Sequence, residues 1–396
     1  MASIAERFRN HLLYPEFVQV KTCLMKHQFV CWVAGGAVRD LYLGREVSDF
    51  DLVTDCNTVN LKKIFPDALL VGEKFGVLKL VLKNGNYFDL TTFRQEADYV
   101  DGRRPSSVSA STPLQDALRR DFKINALFWD EENQKLIDEV GGVSDLQLNK
   151  LMAVGDPEVR FSEDYLRIVR LLRFAAQLNF QMDPLTFAAA KKLVGSVGKI
   201  SGERIWAELK KISQTEQWNF ILNNSLFADF VEVVFQQGFE KKFSLKFSAS
   251  EDLHLFYIVS LIGQDKSKTK DSLSQKLHLS QSEQNLVESF WRVQNEFKNL
   301  SVEKISLQIE KKSILIDVMA YLVSQSEIDS EKFLKVQKIL KLFSETLIGG
   351  DQIKGLIAPR LIGKALDEVR LKQFEGSIKT GQEALDYIKN HFARST

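Results

Sequence analysis

Proline is spread unevenly along this chain, and that restricts its architecture more than any other feature. Six of the seven prolines (Pro15, Pro66, Pro105, Pro113, Pro157, Pro184) fall in the first half, and only Pro359 follows. Proline breaks helices and central strands, so its absence from Leu185 to Ala358 permits a long run of helices there. Apolar residues recur at three- and four-residue spacing in Trp206–Lys211, Leu226–Val234, Leu286–Val293 and Phe333–Phe343, as packed helices require. The earlier part reads differently. Phe29–Val33, Phe50–Val53, Leu69–Val71, Val77–Leu82, Tyr87–Thr92 and Leu136–Glu139 read as strands, with a turn at Asn84-Gly85. The pattern predicts a small mixed α/β head followed by helices. At 396 residues the chain exceeds what one compact core serves, so two to four structural units are expected.

Composition narrows the class. Hydrophobic residues at 44% and charged residues at 27% exclude a mainly disordered chain. The longest uncharged apolar stretch, Leu255–Gly263, is far too short to span a bilayer. The first ten residues carry charges where a secretory signal needs an apolar run. Cys23, Cys31 and Cys56 form no metal-binding spacing or disulfide framework, so a reducing cytoplasm is the expected compartment. The net charge of +1 gives no global pull toward nucleic acid; any RNA contact must come from local basic surfaces. His11, His27, His254, His278 and His391 are scattered, and each is expected at the surface.

The chemistry concentrates in GGAVRDLYLGREVSDFDL. A strand delivers the chain into Gly35-Gly36, where missing side chains let backbone amides approach a triphosphate. A helix then starts at the same place, and Arg39 can add a charge-assisted contact. Ten residues on come Asp49, Phe50 and Asp51. On a strand, residues i and i+2 share a face, so two carboxylates would point together with Phe50 turned inward. Two hard oxygen ligands suit Mg²⁺ with bound phosphates. Taken singly, Gly-Gly is usually a turn and a lone DxD a solvated strand end; it is their order and spacing that carry the signal. Asp89 is either a third carboxylate near the metal or the polar face of its strand.

Arg167, Arg170 and Arg173 advance as a stripe along one side of a helix, with Ile168, Val169, Leu171, Leu172, Ala175 and Ala176 opposite. One reading is a solvated basic face. The other uses base chemistry: cytosine and adenine both present an amino donor beside a ring-nitrogen acceptor. Asp164 can accept from the amino group while Arg167 donates to the ring nitrogen, which selects C and A against U and G. Arg170 and Arg173 then lie toward the triphosphate or the RNA backbone.

These motifs together resemble the class II tRNA nucleotidyltransferase (CCA-adding enzyme) and bacterial poly(A) polymerase family, within the polymerase-β-like superfamily. Thr92-Phe93-Arg94 through Arg104-Pro105 looks like that family's flexible loop, and Arg119-Arg120-Asp121 like its RRD motif. Glu163-Asp164-Tyr165-Leu166-Arg167 is similar to its EDxxR nucleotide-selecting motif, and Ile200–Leu209 to the motif closing the neck. The resemblance is dense from about residue 30 to 212. It implies a polymerase-β-like α+β head over residues 1–148, an all-α neck over 149–215, and a helical RNA-binding body and tail over 216–396. It implies Mg²⁺ on Asp49 and Asp51, and Gly36, Arg39, Arg120, Asp164, Arg167, Arg170 and Arg173 around the nucleotide, Asn125 nearby. The implied activity adds CCA to a tRNA 3′ end from CTP and ATP, with no membrane or protein partner. A poly(A) polymerase and an inactive RNA-binding module are the alternatives. The Gly-Val pair in Val71–Val77, the complete loop, and the tail segments from Gly349 to Gly376 favour CCA addition.

Overall fold

The structure is a computed structural model that describes residues 3–71, 77–82, 85–99, 105–215, 221, 223–235, 276–285, 287–288, 334 and 347–392. The chain divides into two compact units, Met1–Phe239 and Glu240–Thr396. Gly76 of the Gly-Val pair, the apolar run Leu255–Gly263 and the lysine- and serine-rich segment at 264–271 lie outside the described residues. So do nearly all of Leu286–Val293 and Phe333–Phe343.

In the first unit, helices α1 (Ile4–Arg9) and α2 (Tyr14–Lys26) precede strand β1 (Trp32–Ala34) and helix α3 (Gly36–Leu43). Then come β2 (Asp51–Thr54), α4 (Thr58–Ile64), β3 (Leu69–Val71), β4 (Val77–Val81) and β5 (Tyr87–Thr92). A hairpin of β6 (Arg94–Tyr99) and β7 (Pro105–Ala110) leads to α5 (Pro113–Leu118), β8 (Leu127–Asp130), β9 (Lys135–Asp138) and α6 (Gly142–Gln147). Seven strands form one mixed sheet in the order β3-β4-β5-β2-β1-β8-β9. Only β2 and β5 run parallel, with Asp51 opposite Asp89; the other neighbours are antiparallel.

The strand expectations hold for β3 and β5 to the residue and for β2, β4 and β9 within one, but β1 starts three residues late. Gln28 takes a left-handed φ of 66° at the end of α2, and regular pairing begins only at Trp32. Asp49 lies outside β2, in the segment leading into it. Arg94–Pro105, expected as a loop, instead belongs to the β6–β7 hairpin, which runs on to Ala110, with 100–104 outside the described residues.

The neck follows as β10 (Lys150–Leu151), α7 (Pro157–Glu163), α8 (Leu166–Leu178), β11 (Gln181–Met182), α9 (Pro184–Leu193) and α10 (Gly202–Ser213). It is not wholly helical, because β10 and β11 form a short parallel pair. Asp156 and Asp183 begin α7 and α9 by accepting backbone N–H bonds, each followed by proline at the first helical position. The last described segment of the second unit carries helices Ile362–Phe374 and Gly381–Phe392 around a core of Ile353, Val369, Ala384 and Ile388.

Head and neck share an aromatic seam. Phe122, fully buried, stands edge-on to Phe174 of α8 with ring centroids 5.7 Å apart. Truncating it leaves a cavity between the sheet and the neck that neither can fill. Phe122→Ala should cost about 3–5 kcal/mol, read as a fall in the urea midpoint of the first unit without a change in slope.

Candidate functional site

Strands β2 and β5 present Asp51, Val53, Asp89 and Thr91 on one face, because directly paired residues of neighbouring strands point the same way. These four residues line a cavity of about 550 Å³. The end of β1 arrives beside them through Gly35, whose φ of 73° suits glycine. Arg120 Nη1 would lie 2.8 Å from a Cβ placed there, so the glycine is also a gap that admits an arginine. Gly36 opens α3, and Arg39 follows one turn later, so both reach the same cavity.

Of the residues singled out in the sequence, Gly36, Arg39, Asp51, Asp89, Arg120, Asn125, Asp164, Arg167, Arg170 and Arg173 all line this one cavity. Asp49 does not. It lines an adjoining cavity that shares Gly36, Arg39, Asp51 and Arg173 with the first. Phe50 between the two aspartates is buried, as expected.

Eight arginines face the first cavity (Arg39, Arg94, Arg119, Arg120, Arg167, Arg170, Arg173, Arg204) against four aspartates (Asp51, Asp89, Asp121, Asp164). A chain of net charge +1 has thus concentrated cationic groups where a polyanion would fit. The basic stripe of α8 is not a solvated face. Arg167 and Arg173 are 8% and 7% exposed, and the apolar arc behind them is fully buried. Burial of a guanidinium requires partners. Arg170 meets Asp121 at 2.6 Å and Arg173 meets Glu208 of α10 at 2.5 Å. Arg167 donates to Glu163 at 2.5 Å and to the carbonyls of Arg160 and Arg119. Burial pushes Arg173 down, with Arg170 beside it adding to the shift, to about 10. It stays charged at neutral pH.

Asp164 and Arg167 do not share a regular helix. Asp164 has extended backbone at the break between α7 and α8, and Arg167 lies in the first turn of α8. One Asp164 oxygen accepts from the Leu166 N–H at 3.1 Å and the other from Arg204 at 2.6 Å. A carboxylate has about four acceptor positions and a guanidinium five donors, so both side chains keep capacity toward the cavity.

Several members were missed in the sequence. Asp116, fully buried, meets Arg119 at 2.6 Å and Arg120 at 2.9 Å. Its spacing of three and four residues from them on α5 was a readable signal. Glu208 and Arg204 reach the site from α10, and no local spacing marks their partners.

Among the described residues, no three His, Cys, Asp or Glu side chains converge as a set able to hold a metal ion. The carboxylates nonetheless suit a cation. Burial pushes the Asp51 carboxyl up, the charges of Asp49 and Asp89 push it further, and Arg120 opposes them. Crowded carboxylate oxygens of this kind are hard donors, and Mg²⁺ commonly takes only one or two from protein, leaving its other positions to water and phosphate.

Residues 31–152 match the family described as Poly A polymerase head domain. That match takes in every strand of the seven-stranded sheet. Residues 179–223 match the family described as "Probable RNA and SrmB-binding site of polymerase A". Curated relatives include a protein named CCA-adding enzyme from Streptococcus mutans, 43% identical over 196 residues covering 49% of this chain and 48% of that one. Another with that name, from Lactococcus lactis, is 42% identical over 212 residues, 52% of each chain. The chain thus aligns with about half the length of these relatives. In fold the likeness runs further. The Bacillus stearothermophilus CCA-adding enzyme solved with CTP superposes over 96% of this chain and 98% of its own, with TM-score 0.68 and 21% identity. The Thermotoga maritima CCA-adding enzyme complexed with tRNA superposes over 98% of both chains, with TM-score 0.66 and 18% identity. The polymerase-β-like head of the sequence reading is therefore the fold observed.

The Asp121–Arg170 pair joins head to neck and gives a pH-dependent test. Burial alone would raise the Asp121 carboxyl, but Arg170, the Asn125 amide and the Phe122 N–H hold it well below the usual carboxylate range. A depressed carboxyl contributes stability above its unfolded pKa of about 3.9, lost as pH falls toward the folded value. Asp121→Asn should cost about 3 kcal/mol at pH 7. Urea unfolding at pH 3 should show that gap narrowed by about 1 kcal/mol.

Proposed function

We propose that this chain is a template-independent RNA nucleotidyltransferase that adds CCA to tRNA 3′ ends from CTP and ATP. The observation carrying this reading is the single cavity that joins Asp51 and Asp89 to Asp164 and Arg167, with arginines between them. The names of the curated relatives support it, as do the CTP and tRNA complexes of proteins with this fold. The helical body from residue 216 onward would bind the RNA, and the cytoplasm is the expected compartment. Among the described residues, no helix is long and apolar enough to cross a membrane.

Asp49 and Asp51, with Asp89 beside them, would hold Mg²⁺. The bound ions would supply charge neutralisation for the triphosphate and activation of the primer hydroxyl. The chain's own side chains do the rest. Arg39 and Arg120 are held rigidly, Arg39 by Asp40 and Asn125 and Arg120 by Asp116, so they meet phosphate charge without reorganising. Asp164 accepts from the base amino group and Arg167 donates to the ring nitrogen. With uracil, a carbonyl would face the carboxylate and an N–H would face the guanidinium. Arg170 and Arg173 lie deeper along α8, where their charge serves every nucleotide alike.

Two substitutions test this. Asp51→Ala should abolish incorporation of both CTP and ATP into tRNA lacking its 3′ end while leaving tRNA binding nearly intact; more than trace activity would overturn the assignment.

Asp164→Ala should lower CTP use and narrow the CTP/UTP preference by about ten- to a hundredfold, one charged hydrogen bond's worth. Single-turnover incorporation of each nucleotide, with product sequencing, reads both effects. Addition of adenosines only, without cytidines, would indicate the poly(A) polymerase alternative.

A further inference from the structure

The matched head family begins at residue 31, yet the carboxylate segment rests on side chains that precede it. Each aspartate of the cluster adjoins a buried aromatic residue in sequence: Asp49 and Asp51 flank Phe50, and Asp89 follows Phe88. Phe50 stacks on Phe88 at 6.3 Å and meets Phe8 of α1 edge-on at 5.0 Å. His11, in the turn between α1 and α2, lies 4.6 Å from the Phe50 ring. The platform under Asp49, Asp51 and Asp89 is thus completed by the N-terminal segment.

His11 also bonds to the chain that carries Asp49. Its Nδ1 accepts the backbone N–H of Leu13 at 3.2 Å, so in the neutral ring the proton resides on Nε2. Nε2 then donates to the carbonyl of Val47 at 2.9 Å, two residues before Asp49. The segment Glu46–Phe50 has no regular secondary structure of its own. A single side chain therefore grips its backbone at Val47 and packs its ring at Phe50. Arg7 secures the same helix from the other side by donating to the carbonyls of Leu41 and Tyr42 at the end of α3.

We infer that His11 is a positioning residue for the Asp49–Asp51 carboxylates, fixing them in the pose that receives divalent cation. This rests on the nucleotidyltransferase reading above. The side chain touches neither nucleotide nor metal. It acts by holding Val47 and Phe50, which limits the freedom of Asp49 to turn away from Asp51.

The test compares three variants of the full chain. His11→Phe keeps an aromatic ring on Phe50 but loses both hydrogen bonds. His11→Gln keeps a donor that reaches the Val47 carbonyl. Arg9→Ala removes the exposed end of an ion pair with Glu131, elsewhere on the same N-terminal segment, and reports on general loosening. Three readouts are taken: steady-state CTP incorporation against Mg²⁺ concentration, Mn²⁺ binding to the protein alone by titration calorimetry, and Tm. His11→Phe should lower kcat about tenfold, the equivalent of about 1.4 kcal/mol for the lost bond to Val47, the one of the two that reaches the Asp49 segment. It should also weaken Mn²⁺ binding several-fold, with KM for CTP within twofold of wild type. His11→Gln should recover most of both losses, and Arg9→Ala should change neither at an equal or larger loss in Tm.

Wild-type Mn²⁺ affinity and kcat in His11→Phe would overturn the inference. So would losses in His11→Phe and Arg9→Ala that track Tm equally, or a failure of His11→Gln to restore either quantity when it folds. A wild-type protein that incorporates no nucleotide would instead overturn the functional reading on which the inference rests.

Discussion

Everything at the site depends on how eight arginines share the lining of one small cavity. Like charges at such distances repel, and a guanidinium taken from water without partners costs several kcal/mol. The chain places a carboxylate behind or beside most of them. Asp40 holds Arg39, Asp116 holds Arg119 and Arg120, and Asp121 holds Arg170. Glu163 holds Arg160 and Arg167, Asp164 holds Arg204, and Glu208 holds Arg173. Of these acids, Asp116, Asp121 and Glu208 are buried. The pairs fix the orientation of the cationic groups and offset their mutual repulsion. Without them, the neck helix could not pack its basic side against the head.

Those same pairs decide which surfaces are joined. Asp121 lies where the turn after α5 enters the sheet, Glu208 lies on α10, and α8 runs between them with an arginine aimed at each. Two arginines spaced three residues apart therefore link two separate elements. The spacing keeps them on one side of α8, so the opposite arc stays free to pack Ile168, Val169, Leu171 and Leu172. Charge pairing and hydrophobic burial act on opposite sides of one helix, and each fixes its rotation.

Local features were legible in the sequence, and relations between distant residues were not. Strands β3 and β5 were readable because apolar residues alternate or cluster between turn signals. Strand β8 left no such period: all four of Leu127–Asp130 are buried, so nothing alternates. The β6–β7 hairpin is polar and gave only a loop signal. Gly35-Gly36 and the Asp49–Asp51 pair were readable because their chemistry lies within a few residues. Their partners were not. Arg120 stands over Gly35 from eighty-five residues away in sequence, and Glu208 meets Arg173 only after the neck has folded. His11 looked like an isolated surface histidine, since its partners at Val47 and Phe50 carry no motif.

The charge arrangement limits what kind of ligand completes the site. On the sheet, burial and the charges of Asp49 and Asp89 drive Asp51 up against the opposing charge of Arg120, with Lys79 paired to Asp89 at 3.2 Å, so that corner still favours added positive charge. Across the cavity, eight arginines face Asp121 and Asp164, and the acids that hold them leave that wall with net positive charge. A free cation would relieve the first deficit but would be repelled by the second; a free polyphosphate would face the reverse conflict. A nucleoside triphosphate carrying divalent cation supplies both signs in one ligand. On the proposed function, the phosphates would lie between the aspartates and the arginines, with the base toward Asp164 and Arg167.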